Sequence, residues 1–543
     1  MTPSSSGVLT ALGVITLLGA ACAPPAPPAA PGAPATTVAS SSSAERPRLV
    51  VMVVVDQFRT PYLDRYGDLF TGGFRRLIDQ GRVYVRATHD HAVTETAVGH
   101  ATLSTGAYPM HHGIVANEWA ERTPAGWAEV SNVGDSTVKI VGESRQSGVS
   151  PRSLMRTGLA DWITAADPRS QVASVSGKDR GAVLPAAHAK GQVYWFSAGA
   201  GRFVTSTYYR DRYPDWADDF TTRVQPTFMR DSVWANQTPA AALARATADS
   251  APYEGDGTHT SFPHRFADEG RPGRFWDWLA STPMLDAVTL EFAEQMVRSL
   301  NLGRDDAPDF LNVSLSQADR IGHSYGPLSR EQLDNLLRLD RELGEFFTFL
   351  DRTVGAGRWA VALSADHGSL IAPETQPQPG EPAAGRRITA AERRALNAIL
   401  SAADSAASSP QTPDSVAAAL KRLPIVADAW THEQLLRGAP ADSFAVLARR
   451  SLYPGRAAAE ASKLGVEVRF VEGLLFGARG TSHGTPYWYD RHVPMIFMGA
   501  GIRAGRDSTR AATVDFAPTL ARLLRVPAPG HLDGRTLVGV VGQ

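Results

Sequence analysis

The chain has 543 residues, of which 43% are hydrophobic and 20% are charged, a composition typical of a soluble globular protein. Its formal net charge of −1 supplies no global basic field, so the composition argues against a nucleic-acid partner. Cys22 is the only cysteine, which excludes disulfides, thiolate metal ligands and a cysteine nucleophile from the rest of the chain.

The N-terminal segment is predicted to direct the protein out of the cytoplasm. Val8 to Cys22 is an apolar run too short to span a bilayer, and it resembles a bacterial lipoprotein signal peptide with Cys22 as the lipidated residue. No Lys or Arg precedes the run and Gly19 replaces the usual aliphatic residue, so ordinary secretory cleavage stays open. We therefore predict a signal peptide at 1–22, a disordered Pro/Ala/Ser tether at 23–46, and a periplasmic or outer-membrane-attached protein whose membrane contact is a lipid on Cys22.

The remaining residues, 47–543, show the pattern of one α/β domain. Arg48 to Val55 is a continuous apolar run, which suits a strand buried on both faces of a parallel sheet. Amphipathic segments alternate with such runs, so we expect a mostly parallel central sheet with helices on both faces. Further strands are predicted at 309–315, 359–364 and 493–498, and helices at 74–80 and 331–352.

Two stretches interrupt this alternation and are predicted to be insertions that cap the strand ends. Residues 192–265 are rich in Tyr, Trp, Asp and Thr and contain a hairpin-like pair around Ser197 to Gly201. Residues 370–470 begin with a Pro/Gly-rich loop and continue as an Ala-rich, helical segment.

Carboxylates and imidazoles follow or precede the predicted strands, where an open α/β sheet binds its ligands. Each has an ordinary alternative, such as a helix N-cap for Asp56, a solvated turn for Asp319 and His323, or a structural role for His483. Three Asp and three His together are enough for two metal ions, which can hold the entering and leaving oxygens of an in-line displacement. The six candidates are Asp56, Asp319, His323, Asp366, His367 and His483, with Asp319 and His323 on one helical turn and Asp366 and His367 directed to opposite sides of the chain.

Two threonines are candidates for a nucleophile. Thr96 stands where a helix is predicted to begin, so that metal coordination and the positive end of the helix dipole would both favour its alkoxide. The ordinary alternative is a Thr N-cap. Thr94 is the rival nucleophile, and the spacing alone does not separate the two.

These motifs resemble the alkaline phosphatase superfamily, and most closely its phosphate-insensitive bacterial alkaline phosphatases, which are close to the nucleotide pyrophosphatase/phosphodiesterases. The resemblance runs from about residue 48 to the C-terminus. It implies an alkaline-phosphatase-like fold and Thr96 as the nucleophile, because in that family the nucleophile lies four residues before the His. The matching motifs are Val55-Asp56-Gln57, Thr96 followed by Gly99-His100, Asp319-x3-His323, Ala365-Asp366-His367-Gly368 and His483-Gly484-Thr485-Pro486.

The resemblance also implies how the ligands are shared between two zinc ions. Asp319, His323 and His483 would hold one ion. Asp56, Asp366, His367 and the oxygen of Thr96 would hold the other. The resemblance thus assigns Asp366 and His367 to the same ion.

Three further residues resemble the substrate-binding groups of the monoesterase branch. Asn117 resembles the residue that hydrogen-bonds a phosphoryl oxygen, and Lys178 and Arg180 resemble a Lys/Arg pair. In an extended segment their spacing would put both cations on one face, where they would favour a monoester dianion. An ordinary charged surface strand is the alternative for this pair.

The sequence therefore predicts a zinc-dependent phosphate monoester hydrolase that forms a phosphothreonine on Thr96. We expect small-molecule phosphate monoesters as substrates and a monomeric protein. The nearest alternative is a phosphodiesterase of the nucleotide pyrophosphatase type, which would not be expected to carry Lys178 and Arg180. An alternative of another class is a non-catalytic envelope lipoprotein that binds metal or phosphate.

Overall fold

The computed structural model describes residues 46–541 apart from short gaps at 124–125, 144, 230–231, 256, 270–273, 376–384, 405–411, 439–441 and 458–463. The predicted signal peptide with Cys22, and the tether up to residue 45, lie outside the described residues. Within the described part of the chain, no helix combines the length and the apolar character needed to cross a membrane.

A mixed sheet of ten strands lies at the centre of the domain. Across the sheet the order is β9–β2–β8–β7–β1–β6–β3–β4–β5, and β10 pairs with β2 as well. The strands are β1 (Leu49–Val55), β2 (Arg82–Thr88), β3 (Val172–Ser176), β4 (Gln192–Ser197), β5 (Arg202–Val204), β6 (Asp309–Leu315), β7 (Trp359–Ser364), β8 (His492–Gly499), β9 (Gly505–Asp507) and β10 (Ala511–Ala512).

The five central strands β4, β3, β6, β1 and β7 run parallel. Strand β8 is antiparallel to its neighbours β7 and β2, and β5 is antiparallel to β4. The α/β class with a mostly parallel sheet is therefore confirmed, with β8 as the inserted antiparallel strand. The hairpin-like pair near Ser197 is the β4–β5 hairpin, which extends the central sheet within the range predicted as the first insertion.

Strand β1 shows why these runs are apolar without interruption. Leu49, Val51 and Val53 pack into the core on one face of the sheet, whereas Val50 and Met52 pack into a second core on the other face. Because helices cover both faces, every residue of the strand is buried.

Two layers of helices cover the two faces of the sheet. One layer contains Gly73–Gln80, Met284–Leu300, Gln317–Tyr325 and Arg330–Leu350. The other contains Thr96–Thr105, Leu159–Ala166, Asp179–Ala186 and Phe516–Leu524. The 370–470 region adds helices Ala390–Asp404, Pro413–Leu420 and Ser443–Ser451 and the strand pair Val426–Thr431 and Val466–Phe470.

Asp340 joins two helices of the first layer. Its carboxylate, in the middle of Arg330–Leu350, accepts hydrogen bonds from the backbone N–H groups of Thr71, Gly72, Phe74 and Arg75. These groups lie at the start of the helix Gly73–Gln80, whose first N–H groups have no partner within the helix. The buried carboxylate therefore caps that helix from outside.

We expect Asp340→Asn to lower the free energy of unfolding by about 2 kcal/mol, because one acceptor oxygen is lost at a buried site. Asp79→Asn is the matched control, since Asp79 is paired with Arg75 at the surface and should change stability by about 0.5 kcal/mol or less. Urea denaturation of both variants measures the difference. Equal midpoints would contradict the role given to Asp340.

Candidate active site

Four neighbouring strands bring charged side chains to one edge of the sheet. β3, β6, β1 and β7 lie side by side, and their carboxyl ends lead to Lys178, Asp319, Asp56 and Asp366 respectively. His483 precedes β8, whose antiparallel direction puts its beginning at this same edge. Parallel strands with these residues at their ends therefore bring together groups up to several hundred positions apart in the chain.

Asp319, His323 and His483 form a compact triad. Asp319 and His323 lie one turn apart on the helix Gln317–Tyr325, as predicted, with His323 Nε2 at 3.2 Å from Asp319 Oδ1. His483 Nε2 lies 3.5 Å from the same oxygen and 3.1 Å from His323 Nε2. Three ligand atoms thus converge on one point.

Backbone carbonyl groups orient the three predicted histidine ligands. Each ring has its Nδ1 against a carbonyl oxygen, so Nδ1 carries a proton and Nε2 is the nitrogen that faces the site. The pairs are His323 with Thr481 at 2.8 Å, His483 with Thr94 at 2.7 Å and His367 with Gly368 at 3.0 Å.

Asp56, Asp366 and His367 lie beside this triad. His367 Nε2 is 3.3 Å from Asp366 Oδ2, so the two side chains meet and do not diverge to opposite sides of the chain. His367 also stacks on His483 with ring centroids 3.5 Å apart, and its ligand atom is close to those of Asp319 and His483. His367 therefore lies between the two groups of ligand candidates.

His100 lies close to Asp56 and Asp366 and forms a third possible ligand by distance. Its ring nitrogens are already occupied, because Nδ1 lies 2.9 Å from the Thr96 carbonyl oxygen and Nε2 lies 3.0 Å from Ser314 Oγ. His100 therefore holds the first turn of the helix Thr96–Thr105, and both of its ring nitrogens already have partners within the protein.

Burial and neighbouring charges shift the pKa values of these groups. Burial, together with the Asp56 carboxylate, raises the pKa of Asp366 well above its usual range. Burial would also raise the pKa of Asp319, but Lys178 and His323 hold it well below the usual range. Burial lowers the pKa of His483 to about 4, so this imidazole is neutral near pH 7.

The donor set fits divalent metal ions. His323 and His483 point two ring nitrogens at each other across 3.1 Å, which requires a proton or a cation between them. Asp366 Oδ2 is buried and accepts no hydrogen bond from the described residues. Imidazoles and carboxylates in this number match the ligand chemistry of zinc and of similar borderline cations.

Thr96 and Thr94 have different environments. Thr96 is the first residue of the helix Thr96–Thr105, and its Oγ1 lies 3.5 Å from His367 Nε2. Thr94 Oγ1 instead donates to the carbonyl oxygen of Thr485 at 2.9 Å. The hydroxyl directed at the ligand cluster is that of Thr96.

Asn117 lies beside the start of the same helix. Its Oδ1 accepts the N–H of Ala97 at 3.0 Å, which leaves the amide nitrogen as the end that can donate to a ligand. The backbone N–H of Asn117 donates to Glu95 Oε2 at 2.6 Å. Glu95 therefore ties the Asn117 loop to the residue that precedes Thr96.

Lys178 and Arg180 are not in an extended segment, so that expectation was wrong. Lys178 is the N-cap of the helix Asp179–Ala186, and Arg180 is in its first turn. The Lys178 ammonium lies 2.5 Å from Asp319 Oδ2 and 2.9 Å from Asp56 Oδ2, and it thus bridges the two ligand groups. Arg180 Nε is buried and has no hydrogen-bond partner among the described residues.

Gln57 is a functional residue to which the sequence assigned no role. Its backbone N–H donates to Asp366 Oδ1 and its Nε2 donates to Asp319 Oδ1, both at 2.9 Å. The residue has a φ of 61°, a left-handed conformation that costs a non-glycine residue about 1 kcal/mol or more. Its position directly after Asp56 was the available signal.

Gly99 allows the helix Thr96–Thr105 to approach the backbone of Asp366, which follows β7. A Cβ atom at this position would lie 2.1 Å from the carbonyl oxygen of Asp366, so only glycine fits. The same motif carries His100, and the two residues together hold Thr96 against the end of β7.

The chain is similar to several alkaline phosphatases over nearly its whole length. It is 31% identical to alkaline phosphatase PhoV of Synechococcus elongatus, covering 91% of this chain and 93% of the relative. It is 30% identical to alkaline phosphatase PafA of Elizabethkingia meningoseptica, covering 93% and 96%. The crystal structure of wild-type PafA superposes with a TM-score of 0.83 at 30% identity, over 92% of this chain and 100% of that one. A PafA variant substituted at a threonine, an asparagine, a lysine and an arginine matches with the same TM-score.

The profile described as type I phosphodiesterase/nucleotide pyrophosphatase matches residues 50–458. The chain belongs to this family. The expected place in the alkaline phosphatase superfamily is thereby confirmed, and so are the coarser expectations of a phosphatase, of phosphate esters as substrates and of metal dependence.

We expect Gln57→Ala to weaken metal binding about 10- to 100-fold, because ligands lose the hydrogen bonds that orient them. Competition titration of the apoprotein with zinc and a chromophoric chelator measures the affinity. Gln171→Ala is the matched control, since its side chain bonds the Leu300 carbonyl at the surface. Equal zinc affinity in the two variants would show that Gln57 does not support the ligands.

Proposed function

We propose that the protein hydrolyses phosphate monoesters with two zinc ions, through a phosphothreonine intermediate on Thr96. The observation that carries this proposal is the Thr96 hydroxyl at the start of a helix, 3.5 Å from His367 Nε2. A hydroxyl that faces cation ligands and the positive end of a helix is suited to act as an ionised nucleophile.

The metal part of the proposal follows the two ligand groups. Asp319, His323 and His483 would hold one zinc ion, and Asp56, Asp366 and His367 would hold the other. When bound, the two ions would supply positive charge at the entering and departing oxygens of an in-line displacement. Their binding would compete with Lys178 for Asp56 and Asp319, and would thus make the ammonium available to the substrate.

The chain's own residues supply the nucleophile for the first of two displacements. The Thr96 oxygen loses its proton to solvent and attacks phosphorus while the bond from phosphorus to the leaving oxygen breaks, and the leaving oxygen takes a proton from solvent. Water then attacks the phosphothreonine, the bond to Thr96 breaks, and phosphate is released. His100 supports both steps by holding the Thr96 carbonyl, and Gly99 by allowing the close approach of the helix.

Asn117, Lys178 and Arg180 would hold the transferring phosphoryl group. The Asn117 amide nitrogen would donate to it, and so would Arg180 Nε, which has no hydrogen-bond partner among the described residues. The substituted PafA supports the assignment, because its asparagine follows its threonine by 21 positions and its arginine follows its lysine by two. Thr96 and Asn117, and Lys178 and Arg180, have the same two spacings. Two cations favour a monoester, which carries one more charged oxygen than a diester.

A diesterase activity is the second candidate, because the matching family is described by its phosphodiesterases. Lys178 and Arg180 argue for the monoester, since a diester gives them one charged oxygen fewer to bind. The proposal includes a secreted, monomeric protein, with a lipid on Cys22 as its membrane contact.

Initial rates on an aryl phosphate monoester and on its methyl diester test the proposal. We expect the wild type to prefer the monoester strongly. In Lys178→Ala/Arg180→Ala the monoester kcat/KM should fall on the order of a thousandfold, because two charged donors to the transition state are lost. The diester rate should fall far less.

Arg169→Ala/Lys190→Ala is the control pair, because both side chains are exposed and away from the site. Elemental analysis of each preparation should give about two zinc per chain. A diester preference in the wild type would overturn the monoester assignment. A protein that binds zinc and hydrolyses neither ester would establish the non-catalytic alternative.

The nucleophile is tested with Thr96→Ala and Thr94→Ala. We expect Thr96→Ala to lose on the order of a thousandfold or more in kcat, and to yield no phosphothreonine after acid quenching with labelled substrate. Thr94→Ala should form the labelled intermediate, because the Thr94 hydroxyl is bonded to the Thr485 carbonyl. Label on Thr94, or none in the wild type, would contradict the assignment.

A further inference from the structure

A cavity of about 400 Å³ opens beside the candidate active site. Three of its lining residues are chain neighbours of residues that the proposed reaction uses. Glu95 precedes Thr96, Ala116 precedes Asn117, and Gly484 follows His483. The cavity therefore borders the segments that carry Thr96, Asn117 and His483.

An aromatic wall forms one side of this cavity. Trp119 and Tyr453 both line it, and the Arg456 guanidinium lies 4.6 Å from the ring centroid of Trp119 and 5.2 Å from that of Tyr453. Glu121 Oε1 accepts hydrogen bonds from Trp119 Nε1 at 2.6 Å and from Arg456 Nε at 3.0 Å. These contacts fix the wall before a ligand arrives, which lowers the entropic cost of binding.

The other lining groups favour an uncharged ligand. Val93, Val115 and Leu452 are apolar, and the Arg456 charge is already paired with Glu121. Glu467 also lines the cavity, and burial raises its pKa to about 7. Arg456 is the one Lys or Arg among the described lining residues, so a further anionic group would meet this carboxyl with no unpaired Lys or Arg to balance it. The volume is that of a site for a small organic molecule.

We propose that this cavity binds the leaving group of the substrate and that it selects a planar aromatic group, with Trp119 and Tyr453 as specificity-determining residues. The inference rests on the proposed function and on the ligand assignment that the resemblance implies, in which the Thr96 oxygen belongs with Asp56, Asp366 and His367. The triad of Asp319, His323 and His483 would then serve the departing oxygen. The Gly484 end of the cavity adjoins that triad. The alcohol released from phosphorus would therefore lie against the aromatic wall.

A smaller cavity of about 260 Å³ also borders His483, with Phe476 in its lining. It shares His483 and Gly484 with the site but borders neither Glu95 nor Ala116. The larger cavity is favoured because it alone of these two touches the neighbours of Thr96 and Asn117 as well.

Trp119→Ala and Tyr453→Ala are tested on an aryl phosphate, a nucleoside 5′-monophosphate and methyl phosphate. We expect KM for the aryl ester to rise about three- to tenfold, as expected for the loss of one aromatic contact. KM for methyl phosphate, and kcat for all substrates, should stay within about twofold of the wild type. A rise for the nucleoside ester as well would extend the class from simple aryl to nucleoside leaving groups.

Trp127→Ala is the matched control, because Trp127 lies on the same hairpin, is exposed and does not line the cavity. It should leave all three substrates unchanged. An equal loss for methyl and aryl esters would show that the wall acts only structurally and would overturn the proposal. A selective loss for aryl esters in Phe476→Ala, with none in Trp119→Ala, would overturn it in favour of the smaller cavity. A wild type that hydrolyses the diester in preference would contradict the proposed function, while the aryl-selective effect of Trp119→Ala could still be measured.

Discussion

Crowding of three buried carboxylates is the constraint on which the rest of this edge of the sheet depends. Asp56, Asp319 and Asp366 follow adjacent or next-adjacent strands, so the fold itself forces their negative charges together in a poorly solvated space. Neighbouring like charges in a buried space are unfavourable unless cations compensate them. Lys178, the histidine ring nitrogens and the start of the Thr96–Thr105 helix all present positive or cation-binding groups toward this space. Metal binding would relieve the same repulsion.

Much of the fold was predictable because local signals and tertiary environment agree. The strands at 309–315 and 359–364 match residue for residue, and every residue of both is buried, including the polar Asn312 and Ser314 of the first. The helix predicted at 331–352 appears as Arg330–Leu350 followed by a π-helical turn. Asp319 and His323 share a helical turn, as their spacing of four positions predicted. In each case one short window of sequence contains the whole signal.

The rest of the site depends on contacts between segments that are far apart in the sequence. The carbonyl groups of Thr481 and Thr94 orient His323 and His483, but a carbonyl group has no sequence signature. Lys178 and Arg180 were expected on a strand because spacing alone does not reveal where β3 ends and its following helix begins. The aromatic wall needs Trp119 from a hairpin and Tyr453 from the 370–470 region, and only the folded chain brings them together. The contact between Arg456 and Trp119 could not be predicted from the hairpin or from the 370–470 region alone.

Gly99 has a mechanical consequence for the whole assembly. Because the helix that carries Thr96 touches the backbone of Asp366 directly, no flexible side chain separates the two. In the proposed reaction, thermal motion should therefore move the Thr96 hydroxyl and the backbone of Asp366 as one rigid body, so that their separation varies less than that between the helix and the surface hairpin. Selection could then alter the residues around the leaving group over long periods without disturbing the alignment of the reacting atoms.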